Sequence, residues 1–144
     1  MSRIQSYRGL IADDVIESIP LHTLKGTTGY RIVKFEAMYQ NPAGLSGEGV
    51  MKIYSVPQTS TTATIDFSDP TLLGAAFIEN NNSSSYFGGH VIVFDNVTFN
   101  QDIYITWEDN GANHACNYHI ELEIRDLALD EATVATLKDI RNND

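Results

Sequence analysis

The densest group of residues able to bind a metal or act as a nucleophile is the run His114-Ala115-Cys116-Asn117-Tyr118-His119. Zinc sites use thiolate and imidazole ligands, and a thiol beside an imidazole can become a reactive thiolate. On an extended strand, His114 and Cys116 share one face, whereas His119 points to the opposite face. Three convergent ligands would need a bend or a bulge, and no second ligand pair occurs at zinc spacing. We predict no metal site here, with Cys116 as an inert buried thiol.

Two carboxylates, Glu121 and Glu123, share a strand face about 6.6 Å apart, which is twice the strand rise of ~3.3 Å. This separation resembles that of paired glycosidase carboxylates. Acid–base catalysis, however, needs two environments that separate the pKa values, and neighbouring positions on a solvated face provide none. The pair is therefore predicted to be a solvated surface.

Three oxygen-rich turns offer ligands for calcium, although none has the spacing and glycine of an EF-hand loop. The sequence therefore leaves a surface calcium site as an alternative. No P-loop, nucleophile elbow or Gly-x-Gly-x-x-Gly motif occurs. We therefore predict a protein that is not an enzyme and needs no cofactor. The three turns are Asp66-Phe67-Ser68-Asp69, Asp95-Asn96 and Glu108-Asp109-Asn110.

In the segments that carry these residues, apolar and polar side chains mostly alternate with a period of two, which predicts β-strands. From Tyr118 to Arg125 the even positions are apolar and the odd positions polar, and from Gln101 to Glu108 the odd positions are apolar. The run His90 to Phe94 is continuously apolar, which predicts a strand covered on both faces. We predict seven strands, with an eighth if residues 7–10 pair. They cover residues 15–24, 30–39, 50–56, 62–67, 90–94, 101–108 and 118–125.

Many short strands separated by turn signals predict an all-β fold, a two-sheet antiparallel β-sandwich of jelly-roll type. Two short helices are predicted in addition. Ser68-Asp69-Pro70 supplies a cap and a first-turn proline for an internal helix that includes Leu72, Leu73, Ala76 and Phe77. A C-terminal helix follows Asp130, with Val134, Leu137 and Ile140 as one narrow apolar stripe.

The chain divides into an N-terminal extended arm with the first strand region (residues 1–20), a sandwich (residues 21–128) and a C-terminal helix and tail (residues 129–144). In the arm, Arg3 and Arg8 place positive charge before the acidic turn Asp13-Asp14. The polar run from Glu79 ends in two aromatics and two glycines. Aromatics on adaptable polar loops are good binding anchors. The candidate partner contacts are Arg3, Tyr7, Arg8, Tyr86, Phe87, Val134, Leu137 and Ile140.

Composition limits the classes of partner. The 144 residues suit one domain, and the formal net charge of −10 disfavours binding to nucleic acid. No apolar stretch reaches the ~18 residues of a membrane span, and the N-terminus lacks the apolar core of a signal peptide. A single cysteine excludes an intrachain disulfide. We expect synthesis in a cytoplasm and no small-molecule ligand.

Several framework stretches resemble small structural proteins of tailed phages that infect marine bacteria and cyanobacteria. The resemblance implies a virion component and carries no catalytic motif. It covers most of the chain after residue 28. The stretches are Gly29-Tyr30-Arg31-Ile32, residues 62–69 (TATIDFSD), residues 100–106 (NQDIYIT), residues 117–123 (NYHIELE) and residues 131–141 (EATVATLKDIR).

A compact sandwich without a catalytic motif, with an N-terminal arm and a C-terminal helix, suits a repeating part of a symmetric shell. Together with the resemblance, it leads us to expect a capsid decoration, or cement, protein in the outer shell. Its expected partners are the major capsid protein and further copies of itself, with a trimer favoured. The alternative is a tail, fibre or vertex component that binds a host surface glycan. That alternative would use the aromatics of the loop from Ser85 to Gly89, together with Tyr104 or Trp107. Sugar binding needs exposed aromatics, and the strand phase predicts that Trp107 is buried.

Overall fold

The computed structural model describes residues 3–21, 27–42, 46–80, 89–110 and 113–126. The described residues form two antiparallel sheets, one of three strands in the order β1-β8-β3 and one of five in the order β2-β7-β4-β5-β6. The prediction of an all-β fold with two antiparallel sheets is confirmed. The strands are β1 (Arg3–Ile11), β2 (Val15–Ile19), β3 (Thr28–Tyr39), β4 (Gly47–Tyr54), β5 (Leu72–Asn80), β6 (His90–Phe94), β7 (Ile103–Asp109) and β8 (Cys116–Asp126).

One hydrophobic core receives side chains from both sheets. On β7, Ile103, Ile105 and Trp107 are fully buried, and on β8 the even positions from Cys116 to Ile124 are buried. Alternate residues of a strand face opposite sides, so each strand supplies one row to the core. The predicted phases of both strands are confirmed.

β1 is an edge strand of the three-stranded sheet. It pairs with β8 continuously, from Arg3 opposite Ile124 to Ile11 opposite Cys116. Ile11 is fully buried, and a Cβ at Gly9 would lie 2.8 Å from the Tyr118 hydroxyl, so the strand packs closely on its neighbour. Much of the segment predicted as an arm therefore belongs to a sheet.

The internal helix predicted after Ser68-Asp69-Pro70 is wrong: the segment forms β5. Its apolar spacing fits a helix, but its backbone pairs with β4 on one side and with β6 on the other. Asp69 accepts hydrogen bonds from the backbone N and the hydroxyl of Thr71, so it closes a turn instead of capping a helix.

The strand predicted at residues 62–67 is also wrong, because this segment lies in an irregular stretch of residues 55–71, here called the strap. The strap crosses the outer face of the five-stranded sheet, where Lys52 donates hydrogen bonds to the Thr62 hydroxyl and the Thr64 carbonyl. Residues 62–68 are exposed. Alternation alone did not distinguish a strand from an extended loop.

β6 is a strand, but the prediction that it is covered on both faces is wrong. It pairs only with β5 among the described strands, and Val91 and Val93 are 56% and 44% exposed. β2 ends at Ile19, just before Pro20, and lies at the other edge of the same sheet. A proline suits this position because it cannot donate to a strand ladder.

The predicted C-terminal helix, with Val134, Leu137 and Ile140, lies outside the described residues, as do Tyr86 and Phe87. In the part of the chain that the structure describes, no helix is long and apolar enough to cross a membrane.

Candidate functional site

The arrangement most like a catalytic site is a hydrogen-bonded cluster around Asp109, the last residue of β7. Oδ1 of Asp109 accepts a 3.0 Å hydrogen bond from the Tyr39 hydroxyl. Oδ2 lies 2.8 Å from the His114 backbone N and 2.9 Å from its Nδ1. The Asp109 side chain is completely buried, whereas that of His114 is 26% exposed. A carboxylate that orients an imidazole is the arrangement found behind many general bases.

Closely packed groups surround this cluster. The Tyr39 ring meets the rings of Trp107 and His114 edge-on, with centroids 5.5 Å and 6.0 Å away. Burial, followed by the hydrogen bond to Asp109, raises the pKa of Tyr39, so its hydroxyl stays protonated and donates. Gly47 packs against the same atoms, because a Cβ there would lie 3.4 Å from Asp109 Oδ1.

The bonds of Asp109 connect four chain segments. Tyr39 ends β3, His114 precedes β8, and the Asp109 backbone N donates to Asp13 Oδ1 in the β1–β2 turn over 2.6 Å. The Trp107 indole N–H donates to the His114 carbonyl over 2.8 Å. The cluster therefore ties together the strand ends at one end of the sheets, a structural role that explains its residues without a reaction.

The structure places Cys116 and His119 on opposite faces of β8, as predicted. Cys116 is fully buried in the core, and burial raises the pKa of its thiol to about 12. His119 lies on the outer face, with its Nδ1 buried and without a hydrogen-bond partner. A protonated core thiol is a poor nucleophile and a poor metal ligand.

Among the described residues, one group of carboxylates has a geometry that could hold a cation. Asp13, Asp14 and Glu108 offer oxygens that all lie within 4.8 Å of one another. The Thr61 hydroxyl lies 3.0 Å from Asp14 Oδ1 and 2.5 Å from Glu108 Oε2. The two carboxyl groups of Asp14 and Glu108 also share a hydrogen bond. This bond is the main cause that lowers the pKa of Asp14 and raises that of Glu108. The sequence search noted Glu108 but missed Asp13 and Asp14, which only the pairing of β2 with β7 brings near it.

Glu121 and Glu123 lie next to cations of β3. Lys34 is opposite Glu121 in the sheet register, and Arg31 forms a 3.1 Å ion pair with Glu123. Cross-strand charge pairs of this kind stabilise a sheet face modestly.

The candidate contacts on β1 differ in their availability. Arg3 and Arg8 are exposed, but Tyr7 is half-buried and packs against the core. Burial is the main cause that raises the pKa of the Tyr7 hydroxyl. Of these three residues, the two arginines are available to a partner.

Sequence reasoning missed a groove on the outer face of the three-stranded sheet. Leu10 and Met38, on the two flanking strands, are 45% and 62% exposed and lie on either side of Asn117 of β8. Next to them, Arg8 and Glu36 flank His119. These residues line a groove of about 550 Å³. The sequence did contain a signal for Met38, because this apolar residue stands at a position of β3 where the alternation otherwise has polar side chains.

A second exposed surface, here called the β6 patch, consists of Phe67 of the strap together with Val91 and Val93 of edge strand β6. Phe67 is 69% exposed, the most exposed of the large hydrophobic residues described. Phe67 and Val93 line one groove of about 350 Å³ together with Asp69 and Asp95. The sequence analysis predicted residues 62–67 as a strand and did not identify this patch.

No protein-family model matches the chain, and no curated protein matches it significantly.

Proposed function

We propose that this protein is a non-enzymatic structural component of a virion, a capsid decoration protein that docks on the major capsid protein in the outer shell. The observation that carries the proposal is the presence of exposed apolar residues on the outer faces of both sheets. A bridging protein needs at least two contact surfaces, and large exposed apolar side chains commonly mark such surfaces.

The strand order supports a jelly roll, the fold type expected from the sequence. β1 pairs with β8, β2 with β7, and β4 with β5, a nested order that arises when one long hairpin folds over on itself. The fourth pair of an ideal jelly roll, β3 with β6, is replaced by pairing of β6 with β5. Jelly rolls are common in viral capsid and lectin domains, so the fold is compatible with both functions considered.

The surface charge is consistent with an outer position. A net charge of −10 repels packaged DNA and keeps a particle soluble. Bound across joints between capsid subunits, the protein would stabilise the assembled shell by mass action.

The alternative is a tail or fibre protein that binds a host glycan. It lacks its best candidate for an exposed aromatic ring on which a sugar could stack. Trp107 is fully buried, and its indole N–H is bound inside the protein. Tyr104 is half-buried, whereas stacking on a sugar needs an exposed ring.

The test is the copy number of the chain in purified particles of the encoding phage, by quantitative mass spectrometry against the major capsid protein. A ratio near one copy per capsid subunit, or a simple fraction of one, is expected. A handful of copies per particle would instead place the chain in the tail or at a vertex. Absence from particles would overturn the virion role.

A further inference from the structure

We propose that the edge of β6 that faces away from β5, here called the open edge, pairs with the open edge of a second copy of this chain. The two β6 strands run antiparallel about a twofold axis at Ile92 and join two five-stranded sheets into one continuous sheet. The partner is this chain itself, and the contact is isologous because both copies contribute the same strand. The inference does not require the virion role.

Among the described strands, β6 pairs with β5 alone, and this ladder identifies the backbone groups on the open edge. The N–H of Glu79 donates to the Gly89 carbonyl over 2.7 Å. At the other end, the N–H of Asp95 donates to the Leu73 carbonyl over 2.9 Å. Every second residue of an antiparallel strand is bonded to a given neighbour. The odd positions from 89 to 95 therefore point their N–H and C=O groups toward β5.

The groups on the open edge belong to the even positions, which are His90, Ile92 and Phe94. Each of them offers one N–H donor and one C=O acceptor. Because these groups repeat along an extended backbone, their complement is a further β-strand. The occupant that fits the open edge is therefore a strand.

β6 is the least protected of the four edge strands in the described part of the chain. Proteins discourage further pairing with charged side chains, prolines or bulges at sheet edges. β1 carries Arg3 and Arg8. β2 carries Glu17 and ends before Pro20, and β3 has a bulge after Ile32. β6, with the sequence HVIVF, has no lysine, arginine, aspartate, glutamate or proline and no register shift.

The open edge is complementary to itself. With a twofold axis at Ile92, this residue lies opposite its own counterpart in the second copy, and His90 lies opposite Phe94. Each of these pairs exchanges two N–H···O bonds, as the bonded pairs of an antiparallel ladder do. Every N–H and C=O on the open edge is then satisfied. Asp95 lies opposite Gly89, so no charge meets a like charge.

The side chains suit the same register. Val91 of one copy lies opposite Val93 of the other, in a non-bonded pair, where side chains come closest. Both valines belong to the β6 patch and are 56% and 44% exposed. Phe67, which lines a groove with Val93, extends the apolar strip. Pairing therefore covers apolar surface that a single copy leaves in water, and cross-strand pairs of β-branched residues stabilise a sheet.

The charge of the chain gives this contact a distinctive salt dependence. A net charge of −10 makes two copies repel each other, whereas β6 contributes no ion pair that salt could weaken. Raising salt from about 0.1 M to about 1 M shortens the screening length from ~10 Å to ~3 Å. Dimerisation should therefore strengthen with salt, whereas association through opposite charges would weaken.

The first experiment is sedimentation velocity of the full chain over a concentration series up to its solubility limit. The wild type should dimerise, since an isologous contact closes at two copies. His90→Pro removes an N–H from the open edge and leaves the β5 ladder intact, and proline is tolerated at the first residue of a strand. This variant should dimerise at least about tenfold more weakly. His90→Ala keeps the N–H and is the matched control, which should dimerise like the wild type; urea unfolding midpoints verify the fold of both.

The second experiment tests the register with Val91→Cys and Val93→Cys, mixed in equal amounts in a glutathione buffer. In the proposed register, the Cα atoms of these two positions lie about 4.5 Å apart across the contact, which suits a disulfide. Two copies of the same variant would place their thiols at diagonal positions, about 7–8 Å apart, which is too far. The mixture should therefore cross-link positions 91 and 93 at least about tenfold faster than either variant alone cross-links. Cys116 is fully buried and should not take part.

A wild-type chain that stays monomeric up to its solubility limit would leave the open edge to a strand of another protein and overturn the proposal. A His90→Pro variant that dimerises as well as the wild type, or a mixture that cross-links no faster than its single variants, would also overturn it. Dimerisation that weakens in high salt would equally contradict it. None of these outcomes bears on the copy number in particles.

Discussion

The Tyr39 hydroxyl donates a 3.0 Å hydrogen bond to the buried Asp109 carboxylate, although 70 positions separate the two residues in the chain. Tyr39→Phe removes the donor and leaves a buried charged acceptor with one bond fewer. We expect a loss of about 1–3 kcal/mol in the free energy of unfolding. Urea denaturation with unchanged m-value measures it.

Tyr118→Phe is the matched comparison. The Tyr118 hydroxyl also donates over 3.0 Å to a carboxylate, that of Glu17, but Glu17 is half-buried and can be solvated when the bond is lost. Its cost should be smaller, about 1 kcal/mol. Equal costs for the two variants would contradict a special role for the Asp109 cluster.

Two glycines on β4 should respond very differently to alanine. A Cβ at Gly49 would overlap the Trp107 ring, whereas a Cβ at Gly47 would have its nearest neighbours at 3.4 Å, an ordinary contact distance. Gly49→Ala should therefore cost about 1–3 kcal/mol or more, because Trp107 is fully buried and cannot move aside freely. Gly47→Ala should cost less than about 1 kcal/mol. Thermal unfolding of the two variants measures this difference. A larger loss of stability in Gly47→Ala than in Gly49→Ala would contradict the packing of Trp107 against β4.

Stability should fall at alkaline pH. Burial raises the pKa of Cys116 and of Tyr118 to about 12, and it raises that of Tyr39 as well. The folded state therefore keeps protons that the unfolded state releases near its ordinary values of ~8.5 for cysteine and ~10 for tyrosine. The stabilisation is complete below those values and is lost as pH rises toward about 12, by up to ~1.4 kcal/mol per pH unit for each group.

Urea midpoints between about pH 8 and about pH 11 test this dependence. Tyr39→Phe should reduce the loss of stability per pH unit at alkaline pH by the contribution of one tyrosine, since phenylalanine has no proton to lose. A slope unchanged by this substitution would contradict the assignment.

The strap should loosen when Lys52 is changed. Lys52 is buried and donates to the Thr62 hydroxyl over 2.9 Å and to the Thr64 carbonyl over 2.7 Å. Lys52→Met keeps the stem of the side chain but removes both bonds, so limited proteolysis within the strap should accelerate. Lys34→Met, at an exposed position, is the control and should leave the rate of cleavage in the strap unchanged. A strap that is cleaved no faster in Lys52→Met than in the wild type would contradict this role.

The sequence by itself determined the class of the fold and the phase of its clearest strands. Ile103, Ile105 and Trp107 alternate with polar residues, and all three are buried as predicted. Alternation is a local property, since a strand with one covered face needs apolar residues at every second position whatever its partner. The opposite orientations of Cys116 and His119 follow from the same rule.

Where the local sequence pattern fits two kinds of structure, only the tertiary structure decided between them. Leu72, Leu73, Ala76 and Phe77 suit a helix as well as a strand, and pairing with β4 and β6 selected the strand. Residues 62–67 alternate, yet none of the described strands pairs with them, so they cross the sheet as part of the strap. Tertiary pairing overrides local preference because ladder hydrogen bonds and burial outweigh small differences in propensity.

The candidate sites depend on the tertiary structure most of all. Tyr39, Asp109 and His114 come together because β3 and β7 end at the same end of the two sheets. The groove between Leu10 and Met38 arises because β8 separates β1 from β3. Such contacts join distant parts of the chain, and their geometry follows from strand order and register, which no local pattern specifies.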